Sequence, residues 1–268
     1  MSFLETIVGR RRERVLAEYG RLSPADRERL ACCARPVRDF AAALRDRVDV
    51  AVIAEVKKCS PSAGAIAPEC EASKQALAYQ YGGAAAVSVL TEPTAFGGSF
   101  ADLSDVADAV DVPVLCKDFV VDPVQLFVAR GHGADAVLLI VSVLGRLTRD
   151  YADVAETLGL TPVVEVAHVD ELDIALGVRA GVIAVNSRDL CTLEVDRDRA
   201  RAVMEAMGRF DVTRIAASGV RTRADVEAAA ETGADAVLVG ETLMRAPYPE
   251  EMVGELTGVE RITPKVDQ

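Results

Sequence analysis

The chain has 268 residues, half of them hydrophobic, and a formal net charge of −12. That length exceeds a minimal domain and suits one large α/β barrel or two modest domains. The acidic balance argues against general nucleic-acid binding, which needs a basic footprint, and leaves an anionic small molecule as a partner only where cations gather locally.

Aromatic residues make up 4% of the chain and Trp is absent, so Ala, Val and Leu must fill the core. The opening MSFLETIVGRRRERVLAEYGRL alternates charges as an exposed helix face does. It lacks the apolar run of a signal peptide, and no later stretch is apolar enough to span a bilayer; a cytoplasmic location with no membrane partner is expected, an Arg-rich membrane anchor being the alternative. Residues 1–49 read as N-terminal helices. Cys32, Cys33, Cys59, Cys70, Cys116 and Cys191 form no CxxC, and His132 and His168 lie far apart. Free thiols and no metal site are expected.

From residue 50 one unit recurs: an apolar strand, a short polar loop, a helical segment. The strands read as 50–57, 85–91, 113–118, 136–141, 162–167, 182–186, 214–218 and 236–240. Helical patterns such as ASKQALAYQYGG, VQLFVARGHG and TRADVEAAAETG separate them. GGAAAVSVL, GADAVLLI and GADAVLVG share an entry cue, with Gly closing a helix and Asp or Ala leading into a strand. Strands alternating with helices predict a parallel sheet, and near-continuous apolar strands predict burial on both faces. The fold class predicted is α/β, a (β/α)8 TIM barrel over 50–258 with an N-terminal helical extension, all in one domain spanning 1–268. An open doubly wound sheet is the alternative, disfavoured because no GxGxxG follows the first strand.

In such a barrel chemistry sits at the C-terminal ends of the strands. Polar residues collect there: Glu55 and Lys57, Lys117, Glu165, Asn186 running on to Arg188, Ser218-Gly219, and Gly240-Glu241. Residues two apart share a face, so Glu55 and Lys57 face the mouth together and Lys58 points away. A buried ion-pair network is the bland alternative for this set. ASGV and VGET place small residues where backbone N–H groups reach an anion, unless the glycines merely make tight turns. Pro61, Phe96, Phe119, Leu138 and Leu190 suit a slot for a flat ring, or are ordinary packing.

The segments VIAEVKKCSPSAGAI, VSVLTEPTAFGGSF, VLCKDFVVDPVQLFVARGHGADAVLLI, VVEVAHVDEL, AVNSRDLCTLEVD, IAASGVRTRADV and GADAVLVGETLM, in this order, resemble the indole-3-glycerol phosphate synthase family. The resemblance implies a cofactor-free, metal-free TIM barrel of tryptophan biosynthesis, a monomer or homodimer. It closes the indole ring of 1-(o-carboxyphenylamino)-1-deoxyribulose 5-phosphate with loss of CO2 and water. By this likeness Lys117 is the general acid, Glu165 the general base, Lys57 a binding and proton-transfer group, and Glu55 and Asn186 hold them in place. Ser60 and Pro61 join the substrate-binding set with Phe96, Phe119, Leu138 and Leu190. Arg188 lies near the anthranilate moiety, while Ser218, Gly219, Gly240 and Glu241 form the phosphate site.

Four positions depart from the family pattern. Ala217 stands where strand 7 usually carries Glu, Ala167 where His is usual, Cys116 precedes Lys117 in place of the usual residue, and Val128 replaces a Glu. These departures leave two further readings: a specialised paralogue acting on a substituted substrate, and an impaired paralogue that only binds ligand. Another phosphate-binding barrel lyase or isomerase is the remaining alternative.

Overall fold

A computed structural model describes residues 2–32, 34–178, 181–208 and 210–262. Eight parallel strands close into a barrel. They are β1 (Ala51–Val56), β2 (Ala86–Leu90), β3 (Val114–Lys117), β4 (Ala136–Ile140), β5 (Thr161–Val166), β6 (Val182–Asn186), β7 (Thr213–Ala217) and β8 (Ala236–Val239). Each predicted strand is present, with no end shifted by more than one residue. Val141 differs: it opens a short helix, Val141–Leu144, rather than extending β4. A continuous apolar run carries no period to separate a buried strand from a buried helical turn. Cys59–Ser60 and Gly64–Ala65, read from the sequence as loop, pair as a small antiparallel hairpin.

The entry cues work as the sequence predicts. Gly83, Gly133 and Gly233 close the helices before β2, β4 and β8 with φ of 95°, 85° and 82°, a conformation that costs glycine little.

Closure fixes which side chains meet. The register steps by about one residue per strand, so interior positions on alternate strands fall at one height. Ile53, Leu115, Val163 and Ile215 fill one layer from the odd strands, all fully buried. Ser88, Leu138, Ala184 and Leu238 from the even strands lie above it. The next layer, again from odd strands, is Glu55, Lys117, Glu165 and Ala217. The barrel is therefore solid below its mouth.

The N-terminal extension closes both ends. In α1 (Phe3–Tyr19) Ser2 and Glu5 form a capping box. Leu4, Ile7 and Val8 pack in the same cluster as Phe119 of the barrel. Arg11 forks onto Asp118 at 2.9 and 2.6 Å, beside Lys117, and Thr91 donates to the same carboxylate at 2.7 Å. Burial works against the Arg11 charge, and Asp118 outweighs it, so its pKa is raised. α2 (Pro24–Cys32) follows, then α3 (Phe40–Arg45), whose fully buried Phe40 and Leu44 join the inner cluster and contact β2 and β7. No helix among the described residues is long and apolar enough to cross a membrane. Cys32, Cys59, Cys70, Cys116 and Cys191 are free; Cys33 lies outside the described residues.

The Asp of each GAD cue has a definite task. Asp135, fully buried, accepts from the Val114 N–H at 2.7 Å and pairs with Arg35 and Arg38 at 2.8 and 3.0 Å. Asp235 accepts from the Arg214 N–H at 2.7 Å and pairs with Arg261. Each carboxylate ties two neighbouring strands to a terminal segment. Replacing Asp135 by Ala strands two guanidinium groups and a strand N–H. A loss of about 3–5 kcal/mol is expected in equilibrium denaturation, as for a buried pair broken on one side.

Candidate active site

The layer at the mouth contains two carboxylates and one ammonium from β1, β3 and β5, with the Ala217 methyl completing it on β7. Each strand is apolar until its tip because it must close the barrel, and charged at the tip because there the interior meets the cavity. Glu55 is buried and accepts from Lys57 at 2.7 Å, while Lys58 turns outward to Asp102 at 2.7 Å, as strand parity requires. Lys117 Nζ lies 3.5 Å from Glu165 Oε2. Asn186 donates to the other oxygen, Glu165 Oε1, at 3.0 Å, so Oε2 is buried without a hydrogen-bond partner. Burial lowers the Lys117 pKa, but Glu165 and then Glu55 raise it further, and the ammonium form is held above its ordinary range.

One cavity of about 760 Å³ opens over this layer. Every candidate site residue of the sequence reading lines it. Lys117, Glu165, Lys57, Glu55 and Asn186 form the floor. Ser60, Pro61, Phe96, Phe119, Leu138 and Leu190 form a largely apolar wall, with the Phe96 and Phe119 rings 6.3 Å apart. Arg188 stands at the rim and donates to the Leu193 carbonyl at 2.6 Å. Ser218, Gly219, Gly240 and Glu241 form the opposite end. The Glu241 carboxylate is engaged by Arg245 at 3.0 Å. Gly240 leaves room for the charged pair: a Cβ there would run into the Glu55 carboxylate and lie 2.8 Å from Lys57 Nζ, so both side-chain ends would have to move.

Of the four departures only Ala217 reaches this cavity. Cys116 and Val128 are buried in the wall outside the barrel, and the Ala167 N–H caps onto Glu171 at 2.6 Å. The sequence reading missed Phe3, which reaches the cavity from the start of α1, and Ser187 and Arg197, which brace the Ser218 and Gly219 carbonyls after β7. The amphipathic pattern of α1 was the available signal for Phe3; the two braces act on backbone carbonyls and leave no pattern.

An ammonium and two carboxylates facing one cavity at the C-terminal mouth of a closed barrel are the arrangement of a (β/α)8-barrel enzyme. Comparison with known proteins is specific. Residues 4–256 match the family model described as "Indole-3-glycerol phosphate synthase". Indole-3-glycerol phosphate synthase 1 of Streptomyces coelicolor is 46% identical over 257 residues, covering 96% of this chain and 95% of its own. The indole-3-glycerol phosphate synthase of Mycobacterium tuberculosis is 47% identical over 256 residues, covering 95% of this chain and 93% of its own. In fold the chain resembles a mutant tryptophan synthase alpha-subunit from Pyrococcus furiosus, with TM-score 0.60 and 15% identity over 78% of this chain and 98% of that one. It also resembles a thiamine phosphate pyrophosphorylase from Pyrococcus furiosus, with TM-score 0.59 and 17% identity over 80% of this chain and 95% of that one. The chain belongs to the indole-3-glycerol phosphate synthase family, and with it to the decarboxylating carbon–carbon lyases.

Because Glu165 raises the Lys117 pKa, Glu165→Gln is expected to lower it. An NMR titration of the Lys117 ammonium group reads this directly, the midpoint moving to lower pH. The stability contributed by the pair is complete below the ordinary lysine range and is lost only as pH rises through the higher folded value.

Proposed function

We propose that this chain closes the indole ring of 1-(o-carboxyphenylamino)-1-deoxyribulose 5-phosphate, releasing CO2 and water, as a step of tryptophan biosynthesis. The observation that carries the residue assignment is the Lys117 ammonium paired at 3.5 Å with the Glu165 oxygen that no hydrogen bond holds, in one layer under one cavity. The aryl ring lies against Phe96, Phe119, Leu138, Pro61 and Leu190, near Ser60, with its carboxylate toward Arg188. The phosphate lies at Ser218, Gly219, Gly240 and Glu241. The sugar chain then crosses the charged layer and its carbonyl comes over Lys117.

The chemistry follows from that placement. Lys117 gives a proton to the carbonyl oxygen, which makes its carbon electrophilic to the ring carbon that bears the carboxylate. The carboxylate leaves as CO2 once that bond has formed. Elimination of water then requires an acid at the departing hydroxyl and a base for the proton removed, and the free oxygen of Glu165 supplies the base. Lys57, held by Glu55, binds the anion and relays protons; Asn186 fixes the Glu165 carboxylate so that one oxygen stays free.

Lys117→Ala is expected to lower kcat by about 10²–10⁴, the usual worth of a general acid, with the fold intact by circular dichroism. Retention of nearly full kcat would remove the assignment.

The readings of a specialised or ligand-binding paralogue rest on Ala217, the uncharged fourth position of the layer. Ala217→Glu adds a carboxylate beside Lys57 and Lys117 and favours their ammonium forms. A higher kcat on the unsubstituted substrate is expected. Equal or lower kcat supports a pocket reshaped for a substituted ring, and no turnover by either protein supports a binding role.

A further inference from the structure

At the phosphate end three successive backbone carbonyls are held from the β6 side. Ser187, 5% exposed, directs its hydroxyl to the Ser218 carbonyl at 3.0 Å and the Ala217 carbonyl at 3.2 Å. Its own N–H donates to the Ala217 carbonyl at 3.0 Å. Arg197 donates to the Gly219 carbonyl at 2.7 Å and is itself fixed by Asp225 at 2.9 Å. A trans peptide places its N–H opposite its C=O. Holding the carbonyls of 217, 218 and 219 on one side therefore turns the N–H groups of Ser218, Gly219 and Val220 to the other. All three of those residues line the cavity. Among the described residues no intramolecular acceptor takes these N–H groups.

The loop also holds a conformation that needs support. Ser218 has φ of 68°, one of two positive values among the described non-glycine residues, and Gly219 follows at 78°. Such a residue persists only where its surroundings over-determine it. A Cβ on Gly219 would lie 3.3 Å from the Ser187 hydroxyl, so brace and loop are in close contact.

We propose that Ser187 is a positioning residue, helped by Arg197, that fixes three backbone N–H groups of the β7 loop as an anion cradle without touching the anion itself. This rests on reading that end of the cavity as the phosphate seat. Ser187 sets affinity for the phosphate group and leaves the acid–base step over Lys117 and Glu165 unaltered.

The test compares the unmodified protein, Ser187→Ala and Ser187→Thr. Calorimetry gives the Kd for inorganic phosphate, and steady-state assays give KM and kcat. For Ser187→Ala both Kd and KM are expected to rise together by about three- to tenfold, the worth of one hydrogen bond, with kcat changed less than about twofold. Ser187→Thr, which keeps the hydroxyl, is expected to recover most of that loss. An unchanged phosphate Kd in Ser187→Ala, or a fall in kcat at constant KM, overturns the proposal. If Ser187→Ala does not fold, Arg197→Gln at the exposed end of the brace must weaken phosphate binding, and an unchanged Kd again overturns it. The phosphate measurement does not depend on the reaction. An unmodified protein that binds phosphate without turning over the carboxyphenylamino substrate would sink the proposed function while the Kd comparison still decides this inference.

Discussion

Barrel closure is the constraint on which everything else depends. Once the register advances one residue per strand, the tips of β1, β3, β5 and β7 have no choice but to share a plane. Glu55, Lys117, Glu165 and Ala217 come from positions spread across more than half the chain, yet they meet because each is an inward tip of an odd strand. A lysine in that plane loses water, which by itself opposes its charge. Two carboxylates in the same plane reverse the outcome. Unit charges about 4 Å apart attract by about 4 kcal/mol at an effective dielectric near 20, comparable with an effective burial penalty of several kcal/mol per ion. The apolar layers below keep the plane rigid, so charge is concentrated at the one level where the interior opens.

The two ends of the barrel use charge differently. At the base, Asp135 and Asp235 are saturated with strand N–H groups and arginines, which leaves them nothing to offer a ligand. At the mouth, Glu165 keeps one oxygen without a hydrogen bond and Lys57 has a single carboxylate partner. Incomplete satisfaction is costly in a buried group, and here it is confined to the cavity. The Arg11–Asp118 fork stands between these cases. It is fully paired, and it joins the N-terminal helix to the residue after Lys117, so the extension is part of the mouth as well as a cover over it.

Much of this could be read from the sequence, for a definite reason. Strand parity and the apolar run up to each tip encode burial, so Glu55, Lys57, Lys117, Glu165 and Asn186 announce themselves as polar residues where the pattern should have stayed apolar. The GAD cues showed the helix ends and strand starts, though not that their aspartates clamp the terminal segments, since arginines distant in chain position carry no local period. The extra turn at Val141 was hidden because an apolar run is silent about backbone conformation. Ser187 was hidden because its hydroxyl serves carbonyl groups, and every residue has one. Ala217 was legible both as a departure and, by the family resemblance, as the one at a catalytic position facing the mouth; the closed barrel adds that Cys116, Ala167 and Val128 do not reach the cavity.

The clamps at the base have a mechanical consequence. Asp135 precedes β4 and Asp235 precedes β8, four strands apart in a ring of eight, so the two terminal segments are fastened on opposite sides. Tension between Arg35 and Arg261 is therefore delivered across the diameter of the base, through Arg35 and Arg38 on one side and Arg261 on the other. From the N-terminus the load first meets the Arg11–Asp118 fork at the tip of β3. The mouth and the floor are thus loaded together, one fork holding the N-terminal helix above and two clamps holding the terminal segments below.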